Sequence, residues 1–146
     1  MTEERLKQEY LSLTRILKEG KEFRFLDFNT SHPYLFVAQQ TNSGKVYTIK
    51  VDLSENYPYN IPKVFITHPK PLLTRSGGSM LEPSHTMHTL QGENGCVRVC
   101  HYGTQDWHPN VTLYQIIIKV RVWLEMYENH LKTGRPLDYY LTSAAF

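Results

Sequence analysis

Tyr57-Pro58-Tyr59-Asn60-Ile61-Pro62-Lys63-Val64-Phe65-Ile66 begins the stretch whose reading decides the fold. His88-Thr89-Leu90-Gln91-Gly92-Glu93-Asn94-Gly95 and Cys96-Val97-Arg98-Val99-Cys100 complete it, and Trp107 follows. Pro58 and Pro62 flank a tight turn into an apolar run. Because proline cannot donate to a β-ladder, both bound a strand rather than sit inside one. Asn94-Gly95 is a turn signal, since both residues tolerate left-handed backbone. Two thiols come directly behind it, among aromatic and histidine side chains.

Outward from this stretch, four strand-like runs are expected: Phe23–Phe28, Leu35–Gln40, Val46–Leu53 and Lys63–Thr67. In the third, Tyr47, Ile49, Val51 and Leu53 alternate onto one face, and Thr41-Asn42-Ser43-Gly44 supplies the turn before it. Short connections make the four an antiparallel meander. Before them, residues 3–19 have helical spacing, with Leu6, Tyr10, Leu13 and Leu17 on one face. Thr2 caps that helix and Gly20 ends it. Its basic residues Arg5, Lys7, Arg15 and Lys18 read as a solvated face.

Residues 68–95 carry no periodicity, and an irregular stretch of that length inside a compact domain is usually functional. Beyond the cysteines, Thr112 and Gln115 make a capping box for a long helix, with Val111 and Ile116 as its hydrophobic staple. Leu113, Ile116, Ile117, Val120, Leu124, Tyr127 and Leu131 form its buried face, widened by Ile118, Val122 and Trp123. Gly134 and Pro136 stop it. The fold class is α+β: an N-terminal helix, a four-stranded antiparallel meander, an irregular active segment and a long C-terminal helix, with helices on one sheet face.

The 146 residues suit one domain, 1–146, able to bury a full core. A net charge of +2, from 16 basic and 14 acidic side chains, gives no field that calls for nucleic acid. No apolar run approaches the roughly 20 residues of a membrane span, so no membrane partner is expected. The start is charged from its third residue, unlike a signal peptide. Two cysteines are too few for a disulfide framework, and in extended chain Cys96 and Cys100 lie roughly 13 Å apart, beyond disulfide reach. A reduced, cytoplasmic protein is the expectation.

The order of these motifs resembles the ubiquitin-conjugating enzymes over nearly the whole chain. Val46 to Thr67 is similar to that family's third strand, Tyr-Pro-x-x-x-Pro segment and fourth strand. His88 to Gly95 looks like its His-Pro-Asn tract, Cys100 falls at the catalytic cysteine, and Trp107-His108-Pro109 resembles the Trp-x-Pro before the long helix. Leu90 stands where the family has the tract asparagine, and Thr89 where it has the proline. The interval from Asn-Gly to Cys100 is longer than usual, and the chain stops soon after the long helix. In these respects it resembles the standalone bacterial relatives of antiviral-defence operons.

The resemblance implies a UBC-like fold and a thioester carrier. Cys100 would attack an activated C-terminal glycine, of a ubiquitin-like protein or of a nucleotidyltransferase, passed from an activating enzyme. A target lysine would then receive it. A thiolate both attacks and leaves well, as such a relay needs. The tetrahedral oxyanion needs a donor, and the amine must lose a proton. His101 and His88 are the candidate helpers, with His85 and Asp106 nearby in sequence. The slot of His88 suggests a hydrogen-bonding pin for the loop, and Asn94 most simply makes the turn with Gly95. Cys96 follows that turn directly, too early for the nucleophile, and reads as a half-buried strand residue.

Two alternatives stay open. One is a non-catalytic binding module for a ubiquitin-like protein on the same scaffold. The other is a zinc-stabilised interaction domain built from His85, His88, Cys96, Cys100 and His101, although that spacing matches no common zinc module. No metal or cofactor is otherwise expected.

Overall fold

The computed structural model describes residues 1–141. Helix α1 (Glu3–Thr14) starts at Thr2, whose hydroxyl accepts from the Arg5 amide at 3.1 Å, with Glu3 and Glu4 at the positive end of the dipole. It ends at Thr14, short of the expected residue 19. The Thr14 hydroxyl donates back to the Leu11 carbonyl, and the chain leaves through a tight turn in which the Ile16 and Leu17 amides both reach the Leu13 carbonyl. Gly20, with φ of 79°, belongs to the turn that follows.

Strands β1 (Phe23–Leu26), β2 (Tyr34–Gln40), β3 (Val46–Asp52) and β4 (Lys63–His68) are the four runs expected, with modest changes at their ends. Two more, β5 (Thr89–Glu93) and β6 (Cys96–Val99), come from the cysteine stretch and the end of the segment expected to be irregular. The sheet therefore has six strands, in the order β1-β2-β3-β4-β6-β5, with every pairing antiparallel. Asn94 (φ 54°) and Gly95 (φ 76°) form the two-residue turn of the β5–β6 hairpin, across which Glu93 faces Cys96. Gly92 admits nothing larger, since a Cβ there would lie 2.6 Å from the Cys96 carbonyl oxygen and 2.9 Å from Leu81 Cδ2.

Alternation sorts the sheet into two faces. Leu35, Val37, Tyr47, Ile49, Val51, Val64, Ile66, Val97 and Val99 are buried and meet helix α2 (Leu113–Thr133). That helix begins with the expected capping box at Thr112 and Gln115, and ends at Gly134 in the left-handed conformation. Leu113, Ile116, Val120, Trp123 and Leu124 are fully buried, and the Gln39 amide donates to the Ile117 carbonyl at 2.9 Å. Ile118, expected in the apolar belt, is 45% exposed: it lies on the side turned from the sheet. A short helix α3 (Leu137–Tyr140) follows and buries Leu137.

Two carboxylates inside this packing are structural. Glu128 accepts from Thr41 Oγ1 at 2.7 Å and Tyr47 Oη at 2.8 Å, tying the β2–β3 turn to α2. Glu9 accepts from Tyr57 Oη at 2.8 Å and from the Leu113 amide at 2.7 Å, so it caps the first turn of α2 from α1. Beside it Arg5 donates to the Pro109 and Val111 carbonyls at 2.7 and 2.8 Å. Arg5 is thus a part-buried clamp rather than one member of a solvated basic face, while Lys7, Arg15 and Lys18 are exposed as expected. Among the described residues no helix is long and apolar enough to cross a membrane.

Candidate active site

Cys100 is the first residue past β6, and the backbone holds it firmly. Its amide donates to the His88 carbonyl at 2.9 Å. The same carbonyl accepts from Trp123 Nε1 at 3.1 Å, and that indole also reaches the Met87 carbonyl at 3.2 Å. A fully buried tryptophan on α2 therefore fixes the loop on which the cysteine hangs. His88 has φ of 53°, and its Nε2 lies 3.1 Å from Asp138 Oδ1. The Asp138 amide donates to the Thr86 carbonyl at 2.8 Å, so α3 closes over the loop that carries His88.

The Cys100 side chain is half-buried and lines two grooves. One, of about 570 Å³, runs between Tyr59, Ile61, Pro62 and Trp107. The other, of about 460 Å³, is bounded by Ser84, His85, His88 and Asp106. Leu90, Cys100, His101, Tyr102 and Gly103 line both, so the thiol stands on the ridge between them. Edge-to-face contacts stiffen this ridge: His101 on Tyr102 at 5.6 Å between centroids, and Tyr102 on Trp107 at 5.5 Å. The Trp107 indole donates to the Pro58 carbonyl at 3.0 Å, joining the ridge to the proline turn before β4.

The electrostatics are set by burial against two cations. Burial pushes the Cys100 thiol up, while the positive charges of Arg98 and Lys119 pull it down; the net direction is upward. Lys119 sits 4.1 Å over the Tyr102 ring, and burial lowers its own pKa against the pull of Asp106. His101 is nine-tenths buried and lowered to about 4, chiefly by desolvation, so it is a neutral imidazole at physiological pH. Its Nδ1 faces the Val99 carbonyl at 3.4 Å. A carbonyl can only accept, so Nδ1 carries the proton and Nε2 presents a lone pair. That Nε2 is buried and has no hydrogen-bond partner among the described residues.

The structure thus brings together Cys100, His101, His88, His85 and Asp106, all on the walls of the second groove. It does not bring Asn94 or Cys96 to them. Those two lie at the opposite end of β6, where Asn94 makes the hairpin turn and Cys96, 9% exposed, shares a small hollow with Lys50, Asp52 and Phe65. Both cysteines are free thiols. The residues between Asn94-Gly95 and Cys100 form the strand β6. Leu90, in the slot of the expected asparagine, supplies an apolar wall to both grooves and no donor. Among the described residues no three His, Cys, Asp or Glu side chains are placed to hold a metal ion together.

Sequence reasoning missed Arg98, Lys119 and Tyr102. Two of them carried a signal: Arg98 is a charge at the centre of a short apolar strand, and Lys119 interrupts the run from Ile116 to Val120.

No curated protein and no solved structure matches the chain. A family model, described as Type II CBASS E2 protein, matches residues 14–137 and so covers the sheet, the cysteine ridge and α2. The chain belongs to that family of bacterial antiviral-defence E2-like proteins.

Proposed function

We propose that Cys100 carries the C-terminal glycine of a ubiquitin-like protein, or of a nucleotidyltransferase with a carrier-like end, as a thioester. It then passes that glycine to a lysine amine of a target. The observation that carries this reading is the position of Cys100: it is the thiol at the junction of two grooves, flanked by Arg98 and Lys119, while Cys96 is buried. One approach suits a flexible tail and the other an incoming amine. Thiolate formation is favoured by both cations and opposed by burial, and in the free protein burial prevails.

In this mechanism the activating enzyme's thioester carbonyl is attacked by Cys100 sulfur. The tetrahedral oxyanion collapses and expels the donor thiolate. With Leu90 at the asparagine slot, the positive field of Arg98 and Lys119 takes over part of the oxyanion's support. In the transfer step the target amine attacks the Cys100 thioester carbonyl, the Cys100 thiolate leaves, and solvent takes the amine's proton, with the neutral, buried His101 packed beside the thiol. His88 is the positioning residue: its carbonyl fixes the Cys100 amide, and its ring is held by Asp138.

A second reading is favoured by one specific feature, the upward shift of the Cys100 thiol. A scaffold that binds a carrier without charging needs no thiolate. The test is a non-reducing gel after incubation with a cognate activating enzyme, the carrier and ATP. A thiol-sensitive adduct that survives Cys96→Ala and vanishes with Cys100→Ala is the expected result. An adduct lost only with Cys96→Ala contradicts the assignment, and no adduct with any variant selects the binding module.

A further inference from the structure

The two grooves beside Cys100 differ in charge, and the difference decides what each can hold. The groove bounded by His85 and Asp106 presents a carboxylate, which attracts an ammonium. The groove bounded by Tyr59 and Trp107 is walled by aromatic and aliphatic side chains, and its one ionised lining residue is Arg98. Two polar atoms of its lining residues, Arg98 Nε and His101 Nε2, are buried away from solvent and have no hydrogen-bond partner among the described residues. Among the described residues no carboxylate lies within ion-pair reach of Arg98. Arg98 as a residue is part-exposed and lines this groove, so an acidic group on an incoming chain suits it. An extended peptide offers a carbonyl and an amide in alternation, and a cationic lysine does not suit the Arg98 side.

We propose that this groove receives the carrier's C-terminal segment in extended form, and that it selects by side chain. Next to the terminal glycine it favours a bulky apolar residue, for the aromatic wall, and an acidic residue, for the Arg98 guanidinium, and it disfavours a basic tail. The inference rests on the reading of Cys100 as thioester carrier. In the loading step the Cys100 thiolate attacks the tail's thioester carbonyl. A new carbon–sulfur bond forms at Cys100 as the old one breaks, and the departing thiolate takes up the proton that Cys100 lost.

The test needs no partner protein. Short peptides ending in glycine, made as 2-mercaptoethanesulfonate thioesters, are offered to the full chain, and loading is followed by intact mass. One set shares an apolar residue and carries Glu, Gln or Arg beside it; a further peptide has Ser in place of the apolar residue. Loading is expected in the order Glu, Gln, Arg with roughly a tenfold spread, narrowing as salt is added. The Ser peptide is expected to load several-fold more slowly, by about the value of one lost apolar contact. Arg98→Gln should flatten the charge preference and Arg98→Glu invert it. Equal loading of all peptides by the unaltered chain overturns the inference and leaves the thioester reading intact. No loading at Cys100, with Cys100→Ala indistinguishable from the unaltered chain, overturns the thioester reading and the inference with it.

Discussion

Trp123→Phe should weaken both the fold and the hold on Cys100. The indole is fully buried, and its single N–H is shared between the Met87 and His88 carbonyls at 3.2 and 3.1 Å. Losing that shared bond leaves the Met87 carbonyl short of a partner and costs about 1–2 kcal/mol. The smaller ring leaves a void that adds about 1 kcal/mol. The total of about 2–3 kcal/mol corresponds to a fall in melting temperature of roughly 5–12 °C for a chain of this size. Urea unfolding measures the first quantity. Alkylation of Cys100 by iodoacetamide, mapped by peptide mass, measures the second, because the carbonyl that anchors the Cys100 amide loses its tether to α2. The alkylation rate should change at least about twofold, with Cys96 still protected. Ile118→Ala, on the exposed side of the same helix, is the control and should cost no more than about 0.5 kcal/mol. A loss in Trp123→Phe no larger than that control, with unchanged Cys100 reactivity, would refute the claim that α2 fixes the cysteine loop.

Three further outcomes follow from the site. Alkylation of Cys100 against pH should give an inflection above the ordinary thiol range, and Lys119→Met should move it higher, because a cation that favours the thiolate is removed; an inflection that falls in Lys119→Met contradicts this. The native state disfavours protonated His101, whereas the unfolded chain takes the proton near pH 6.5, so its neutral burial is fully stabilising above that pH. Stability should fall by up to about 3 kcal/mol as pH drops from about 6.5 to about 4, and His101→Phe should lose that slope in urea titrations at several pH values. Gly92→Ala drives a Cβ to 2.6 Å from a backbone oxygen and should cost about 2 kcal/mol or more, whereas Gly95→Ala, strained only by its φ of 76°, should cost about 1 kcal/mol; equal losses in thermal unfolding would contradict the packing described.

The parts legible in the sequence are those where local chemistry and tertiary packing agree. The Thr112–Gln115 box, the Gly134 stop and the Asn94-Gly95 turn are local backbone signals, the alternation of Tyr47 to Leu53 sorts one face to the core, and each stands where expected. Strand β5 was hidden because Thr89–Glu93 is polar, contains Gly92 and is interrupted by a bulge between Leu90 and Glu93; its pairing with β6 makes it a strand. Arg5 reads as a surface charge and Glu9 draws no notice, because nothing local reveals that Tyr57 and the start of α2 will close over them. The spacing to Trp107 makes Cys100 the candidate thiol, but its two grooves are not legible in the sequence. Their walls come from the Tyr59–Pro62 turn, β5, the Ser84–His88 loop and the Gly103–Trp107 segment, and only the sheet order brings these together.

Replacing the cysteine by an amine-bearing side chain tests the assignment most directly, since an amide trapped at one position cannot exchange. Cys100→Lys, incubated with activating enzyme, carrier and ATP, is digested and sequenced by tandem mass spectrometry. The carrier's terminal glycine is expected in amide linkage at position 100, in a product that resists thiol. A product that thiol still cleaves, with the remnant on Cys96, would contradict the assignment.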